Sequence, residues 1–289
     1  MNGEPTKADG VKWDKVMRPR SDWFDIHPGE IWRYRDLIAL FVWRDFVSVY
    51  KQTILGPLWF ILQPLLTTIV FTFIFGSVAK FPTDGVPPFL FYLSGVIVWR
   101  YFADCMSSTS NTFVTNAHIF GKVYFPRLTV PVSVVISNLI AFGIQFLLFL
   151  ACLVYSSLSQ GVAIHPGASV LLLPVLIFQM ALLGLGFGIV VSSMTTRYRD
   201  LTHLVGFGLQ LWMFMTPVVY STSSIPVKLH WILALNPMTP VIEIFRYTFL
   251  GTGFIDVHSW LVSLATTICV LLVGILLFSK VEKSFMDTV

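Results

Sequence analysis

Charged and uncharged positions divide this chain into blocks. Lys51 to Lys80 encloses 28 uncharged residues, Gly85–Trp99 adds fifteen more before Arg100, and Arg127 to Arg197 encloses 69, broken only by the titratable His165. A helix rises about 1.5 Å per residue, so about 20 apolar residues cross a hydrocarbon core of about 30 Å. The blocks predict an all-α integral membrane protein with spans at about 55–79, 87–112, 130–157, 169–194, 202–220 and 258–279. Turn chemistry separates them: FPTDGVPP at 81–88, SLSQG and HPG within 157–167, and STSSIP at 221–226.

Two stretches depart from this pattern. In residues 30–51, Arg33, Asp36, Arg44, Ser48 and Lys51 fall toward one side at helical spacing, and Leu37, Ile38, Phe41 and Val42 toward the other. Leu37–Trp43 is only seven residues between charges, too short to cross. An amphipathic interface helix lying on the cytoplasmic leaflet is expected, with Trp32 and Trp43 as interfacial anchors. In 225–251, Pro226, Pro237 and Pro240 cut the apolar run into pieces too short to span, and Glu243 and Arg246 stand at i,i+3. Re-entrant half-helices in the outer leaflet are expected there, since irregular backbone at membrane depth survives only where protein or a water-lined cavity covers it.

Composition sharpens this picture. The 289 residues are 55% hydrophobic and 12% charged, with mean hydropathy +0.77, against about 25% charged in soluble domains. Fifteen of the nineteen Lys and Arg fall in the N-terminal arm, the loops after the second and fourth spans, and the tail. That bias puts both termini in the cytoplasm, and the net charge of +4 reads as topology rather than nucleic-acid binding. The arm at 1–28 is charged and lacks the apolar core of a signal peptide. The three cysteines and six histidines show no metal-ligand or disulfide spacing.

The candidate chemistry is sparse. No G-x-x-x-x-G-K-[ST] phosphate loop is present, and carboxylates are too few and scattered for an ion-coupled carrier or a metal-dependent membrane glycosyltransferase. Arg100 sits well inside a span with Asp104 one turn on, which reads either as a structural ion pair or as a contact for a lipid phosphate or acidic glycan. Trp59, Trp99 and Tyr101 read as packing or belt residues one by one, yet 15% aromatic content suits a path for a glycan. In KQTILGPLWFILQPLL at 51–66, Gly56-Pro57 reads as the corner from the interface helix into the bilayer. Pro64 reads as a kink whose freed carbonyl Gln63 satisfies, the alternative being that Gln63 faces the path.

LGPLWFILQPLL at 55–66, NTFVTNAHIFGKVYFPRLTVP at 111–131, TTRYRDLTHL at 195–204, Asn-Pro-Met at 236–238 and the tail KVEKSFMDTV resemble, in order, motifs of a known family. It is the permease subunits of ABC exporters for cell-surface polysaccharides, the Wzm/TagG/KpsM-like group. The resemblance covers about residues 29–289 and implies a homodimer in the bacterial inner membrane, paired with two copies of a separate ATPase. The chain itself would bind no cofactor or metal, with ATP and magnesium held by the partner. The cargo implied is an undecaprenyl-diphosphate-linked polysaccharide such as O-antigen. Alternatives are an ABC exporter of drugs or lipids and, more remotely, a polytopic membrane glycosyltransferase.

On that resemblance, Arg33, Asp36, Arg44, Asn116, Arg197, Arg199 and Asp200 would couple to the ATPase. Trp59, Gln63, Trp99, Arg100, Tyr101 and Asp104 would line the path. Lys122 and Arg127 would dock the lipid diphosphate, and Asn236, Pro237, Glu243 and Arg246 would form an outer gate.

Overall fold

A computed structural model describes residues 28–51, 54–120, 125–160, 167–195, 198 and 200–286. Apart from Pro28, the arm at 1–28 lies outside the described residues, as do Lys122, Arg197 and Arg199. Regular structure among the described residues is entirely helical. The helices are α1 (Pro28–Arg33), α2 (Arg35–Lys51), α3 (Trp59–Phe71), α4 (Pro88–Ser110), α5 (Thr112–Thr115), α6 (Ala117–Phe120), α7 (Thr129–Gln160), α8 (Leu173–Thr195), α9 (Leu201–Met215), α10 (His230–Leu235), α11 (Met238–Leu250) and α12 (Val257–Met286).

Among the described residues, five stretches are long and apolar enough to cross a membrane: Gly56–Val78, Pro88–Ser110, Thr129–Ser159, Ser169–Thr195 and Val257–Val281. They coincide with the predicted spans to within two residues at each end. The fifth in chain order, expected at 202–220, is different. Its helix α9 has 15 residues and stops at Met215, about 22 Å at 1.5 Å per residue. Pro217 carries no N–H to continue the ladder, and Thr216 is already extended, with ψ 144°. The chain from 216 to 221 continues as irregular backbone, followed by a 3-10 turn at Thr222–Ser224.

The interface helix forms as its pattern requires. Trp32 and Trp43 are exposed, and Phe41 is buried against Phe125. Contacts pass from Phe125 to Phe120, Phe113 and then Phe278 on α12, where the Phe113 and Phe278 rings stack at 4.7 Å. This cluster ties α2, the α5–α6 turn and the last turns of α12 to one end of the bundle, the α2 end. Between α2 and α3 the chain turns at Gly56, whose φ of +48° suits glycine, and Pro57 opens the 3-10 turn that leads into α3.

Helix α4 is the centre of the bundle, packed against α3, α7, α8 and α11. Two helices approach α8 closely because it carries glycine on both sides. A Cβ on Gly188 would lie 2.5 Å from Thr109 Cβ of α4, and one on Gly186 would lie 3.0 Å from the Leu271 backbone of α12. With no hydrophobic drive between helices in lipid, such close backbone approach is a main source of association.

The stretch expected to be re-entrant forms two short helices, α10 and α11, at the far end from α2. Helix α11 is nearly all buried, with Phe245 and Phe249 packed on Phe146 and Phe149 of α7. It starts at Asn236, whose Oδ1 accepts the Met238 N–H at 3.1 Å, with Pro237 between them.

Candidate functional site

From Leu90 to Trp99 every residue of α4 is buried. Below Trp99 one stripe is left uncovered: Arg100, Ala103, Asp104, Ser107, Ser108 and Asn111, continued by Thr115 on α5. These positions recur at three- and four-residue intervals, so they share a face running from the helix middle to the α2 end. Ala103, and the exposed Val114 beside Thr115, are its apolar members; the others carry polar side chains. The open face of the upper half of α3 and the turn that continues it, in contrast, is Leu66, Ile69, Val70, Phe73 and Ile74. Apolar side chains suit lipid contact; a row of hydroxyls, an amide and an ion pair does not.

The stripe is anchored by a three-residue cluster. Arg100 Nε donates to Asp104 Oδ2 at 3.2 Å, and Arg100 Nη2 donates to Gln63 Oε1 on α3. The expected role of Gln63 is therefore corrected: its amide reaches across to α4 instead of satisfying the carbonyl freed by Pro64. Its own carbonyl accepts the Thr67 hydroxyl at 2.9 Å. Trp59 lies one turn below Gln63 on the same exposed side of α3. Since α3 and α4 run in opposite directions, this places Trp59 at about the depth of Asp104.

Trp99 and Tyr101 flank Arg100 in sequence but not in space, because successive helical residues point about 100° apart. Trp99 packs edge-on to Phe102 and Trp212, and Tyr101 lies 5.1 Å from Phe142. Both are enclosed within one chain.

At the far end, Arg246 is 1% exposed and is held by acceptors on α4, on the backbone after α9 and at Glu243 of its own helix. Nη1 donates to the Pro217 carbonyl at 2.6 Å and Nη2 to the Val218 carbonyl at 2.9 Å. The guanidinium also lies 3.7 Å above the Phe91 ring. A helix end leaves carbonyls without intrahelical partners, and Arg246 supplies N–H groups to the irregular backbone beyond α9. Asn236 does the same beside it, donating to Thr216 Oγ1 at 2.8 Å while its Oδ1 accepts from Trp212 Nε1 at 3.1 Å. Glu243 stands 4.0 Å from Arg246 and accepts the Thr222 hydroxyl. The Pro237 carbonyl accepts from Ser263, which accepts from Gln179, which accepts from Trp260. The four residues expected to form an outer gate thus form one buried polar knot.

At the α2 end, Arg33, Asp36 and Arg44 are on the exposed side, with Arg44 paired to Asp45 at 2.8 Å. Asp200 is exposed, and its carbonyl begins α9 by accepting from His203. Asn116 is buried, its side chain donating to the Thr112 carbonyl at 3.0 Å and its own carbonyl starting α6. Arg127 is enclosed as well, its guanidinium 5.5 Å above the Phe120 ring. Among the described residues, no three His, Cys, Asp or Glu side chains converge closely enough to hold a metal ion.

Sequence reading missed Ser107, Ser108, Asn111 and Thr115. The signal was available as polar residues at three- and four-residue spacing after the fifteen uncharged residues Gly85–Trp99. It also missed that Ser94 and Gly95 make room for Arg246, for which a linear pattern carries no signal.

The model of the family described as ABC-2 type transporter matches residues 36–250. The chain is 28% identical over 253 residues to an O-antigen export system permease protein RfbA of Klebsiella pneumoniae, covering 87% of this chain and 94% of that protein. A permease of the same name from Myxococcus xanthus is 27% identical over 262 residues, covering 90% of this chain and 98% of its own length.

Proposed function

The chain belongs to the ABC-2 type transporter family, and on that premise we propose that it is the transmembrane subunit of an exporter moving lipid-linked polysaccharide outward across the bacterial inner membrane. The observation that carries the reading is the uncovered polar stripe of α4. A hydrophilic row from mid-helix to the α2 end is unstable against lipid and suits the wall of a path for a sugar polymer. It favours that cargo over the apolar drugs or lipids of the alternative reading. The names of the relatives support O-antigen as the kind of polymer.

One stripe makes one wall. A second copy of the chain, related by a two-fold axis, supplies the facing wall and covers both stripes. Trp59, Gln63, Arg100 and Asp104 then line the path at mid-depth, while Trp99 and Tyr101 hold α4 in place behind it. The α2 end, with its exposed Arg33, Asp36 and Arg44 and the Asp200 turn, receives a separate ATPase that hydrolyses ATP. That assignment places both termini in the cytoplasm and the α10–α11 knot at the outer leaflet. Lys122 receives the lipid diphosphate by opposite charge; Arg127, enclosed over the Phe120 ring, packs against the end of α6 instead.

The test is accessibility. Single cysteines at Ser108 and Thr115, in a chain whose own cysteines are replaced, react with a membrane-impermeant thiol reagent in open inside-out vesicles. A cysteine at Leu66 stays unreactive. Equal protection of all three positions overturns the path. Purified chain alone hydrolyses no ATP, and adding its cognate ATPase gives turnover stimulated by the lipid-linked glycan.

A further inference from the structure

Beside the knot, α10, α11 and the first turn of α12 enclose a cavity of about 320 Å3 that takes no part in the path described above. Its size is at the small end of ligand pockets, which run from about 300 to 1,000 Å3. Trp231 of α10 and Phe254 of the loop before α12 form its rim, 63% and 50% exposed. Asp256, Glu243 and His258 supply polar groups to its wall. Thr239 on α11 lies in the wall too; it is 6% exposed, and its hydroxyl has no hydrogen-bond partner in the fold.

We propose that this cavity is a binding site for one uncharged sugar residue of the exported glycan, a reading that rests on the exporter assignment for its place at the outer face. The apolar face of a sugar ring packs on aromatic side chains, and its hydroxyls donate to carboxylates. Asp256 already accepts from the His258 and Ser259 N–H groups and the Ser259 hydroxyl, and its Oδ1, with one donor, retains acceptor capacity. No Lys or Arg is among the lining residues. Asp256 brings a negative charge to the wall while Glu243 is already paired with Arg246 behind it, which disfavours a uronic acid or a sugar phosphate, and a metal ion lacks a third converging ligand. A neutral hydroxylated ring satisfies the aromatic rim and the acceptors together. The site would hold the emerging polymer by one residue at a time, opposing its return.

Saturation-transfer NMR on the full-length chain in nanodiscs tests this. The probes are methyl α-glucopyranoside, methyl α-mannopyranoside, methyl β-galactopyranoside and sodium glucuronate. At least one methyl glycoside gives a saturable signal, Trp231→Ala weakens it at least tenfold, and Thr239→Val and Asp256→Asn weaken it several-fold; glucuronate gives none. Trp231 is exposed, so its replacement leaves folding intact. The proposal is overturned if no glycoside saturates, if glucuronate binds as well, or if binding survives the Trp231→Ala/Phe254→Ala pair. Surface polysaccharide in cells lacking the chain reports separately on the exporter reading. Export that depends on the chain, without glycoside binding, overturns the site alone. Glycoside binding with export independent of the chain overturns the exporter assignment and leaves a sugar site.

Discussion

Arg246 and Pro217, 29 residues apart, meet at 2.6 Å: a guanidinium N–H from α11 donates to a carbonyl just past the end of α9. A charged side chain thereby does for a truncated span what the next helical turn would otherwise do. This contact explains how α9 ends at Met215 and how the irregular stretch after it stays inside the bundle.

Loss of Arg246 leaves several enclosed carbonyls and Glu243 without their partner. Removing one member of a buried charged pair costs about 3–5 kcal/mol, so Arg246→Ala lowers the thermal midpoint steeply in fluorescence melts. Arg246→Lys recovers little, because one ammonium cannot reach the carbonyls of Pro217 and Val218 while lying over Phe91. Gly95→Ala is damaging for the same reason: its Cβ would lie 2.9 Å from Arg246 Nη2 and 3.0 Å from the Val218 carbonyl.

Arg100 and Asp104 separate stability from transport. Arg100→Ala leaves Asp104 unpaired and reduces both. In Arg100→Ala/Asp104→Ala the thermal midpoint returns toward wild type, since no lone charge remains. Export measured in proteoliposomes stays at least tenfold down if the pair lines the path. Recovery of export in the double variant would reduce the pair to helix packing.

The glycines of α8 predict opposite outcomes from those of open positions. Gly188→Ala forces its Cβ to 2.5 Å from Thr109 Cβ and costs about 1–3 kcal/mol through overpacking. Gly143→Ala, on α7 with nothing within 4 Å, stabilises its helix by about 0.5–1 kcal/mol. Parallel melts of the two variants check the sign of each.

Asp256 caps α12 from outside the membrane-spanning segment. Hydrogen bonds from the Ser259 side chain, then from the Ser259 and His258 backbone, hold its carboxyl below the usual carboxylate range. A depressed folded pKa contributes stability that is fully present above the unfolded value of about 3.9 and is lost as pH falls through the folded one. Melts from pH 6 to pH 3 therefore show wild type losing an increment that Asp256→Asn never had. Asp256→Ala loses the cap at every pH, at about 1 kcal/mol.

Much of the fold was legible in advance because its signals are local. Runs without charge mark spans whatever they touch, and the Gly56-Pro57 corner is set by a left-handed φ and a missing N–H. The fifth span misled because 216–220 are as apolar as helix, and only the end of the ladder at Pro217 stops them. Gln63 misled because a backbone need beside it in sequence was nearer to hand than Arg100, 37 residues away. Arg100 and Asp104 were found from their cost in lipid, but Trp99 and Tyr101 were grouped with them by adjacency, which a helix undoes within one residue.

By itself the sequence determined that this chain lives in a membrane, where its helices begin and turn, and that it carries no phosphate loop of its own. Hydrophobicity, proline and glycine act on each segment separately, so a linear reading suffices for them. Tertiary structure decided which face of α4 stays open, that Arg246 terminates a helix it does not belong to, and that Trp231 and Thr239 share a cavity. Those relationships join residues far apart in the chain through side-chain packing, and helical periodicity alone leaves the choice of neighbours open.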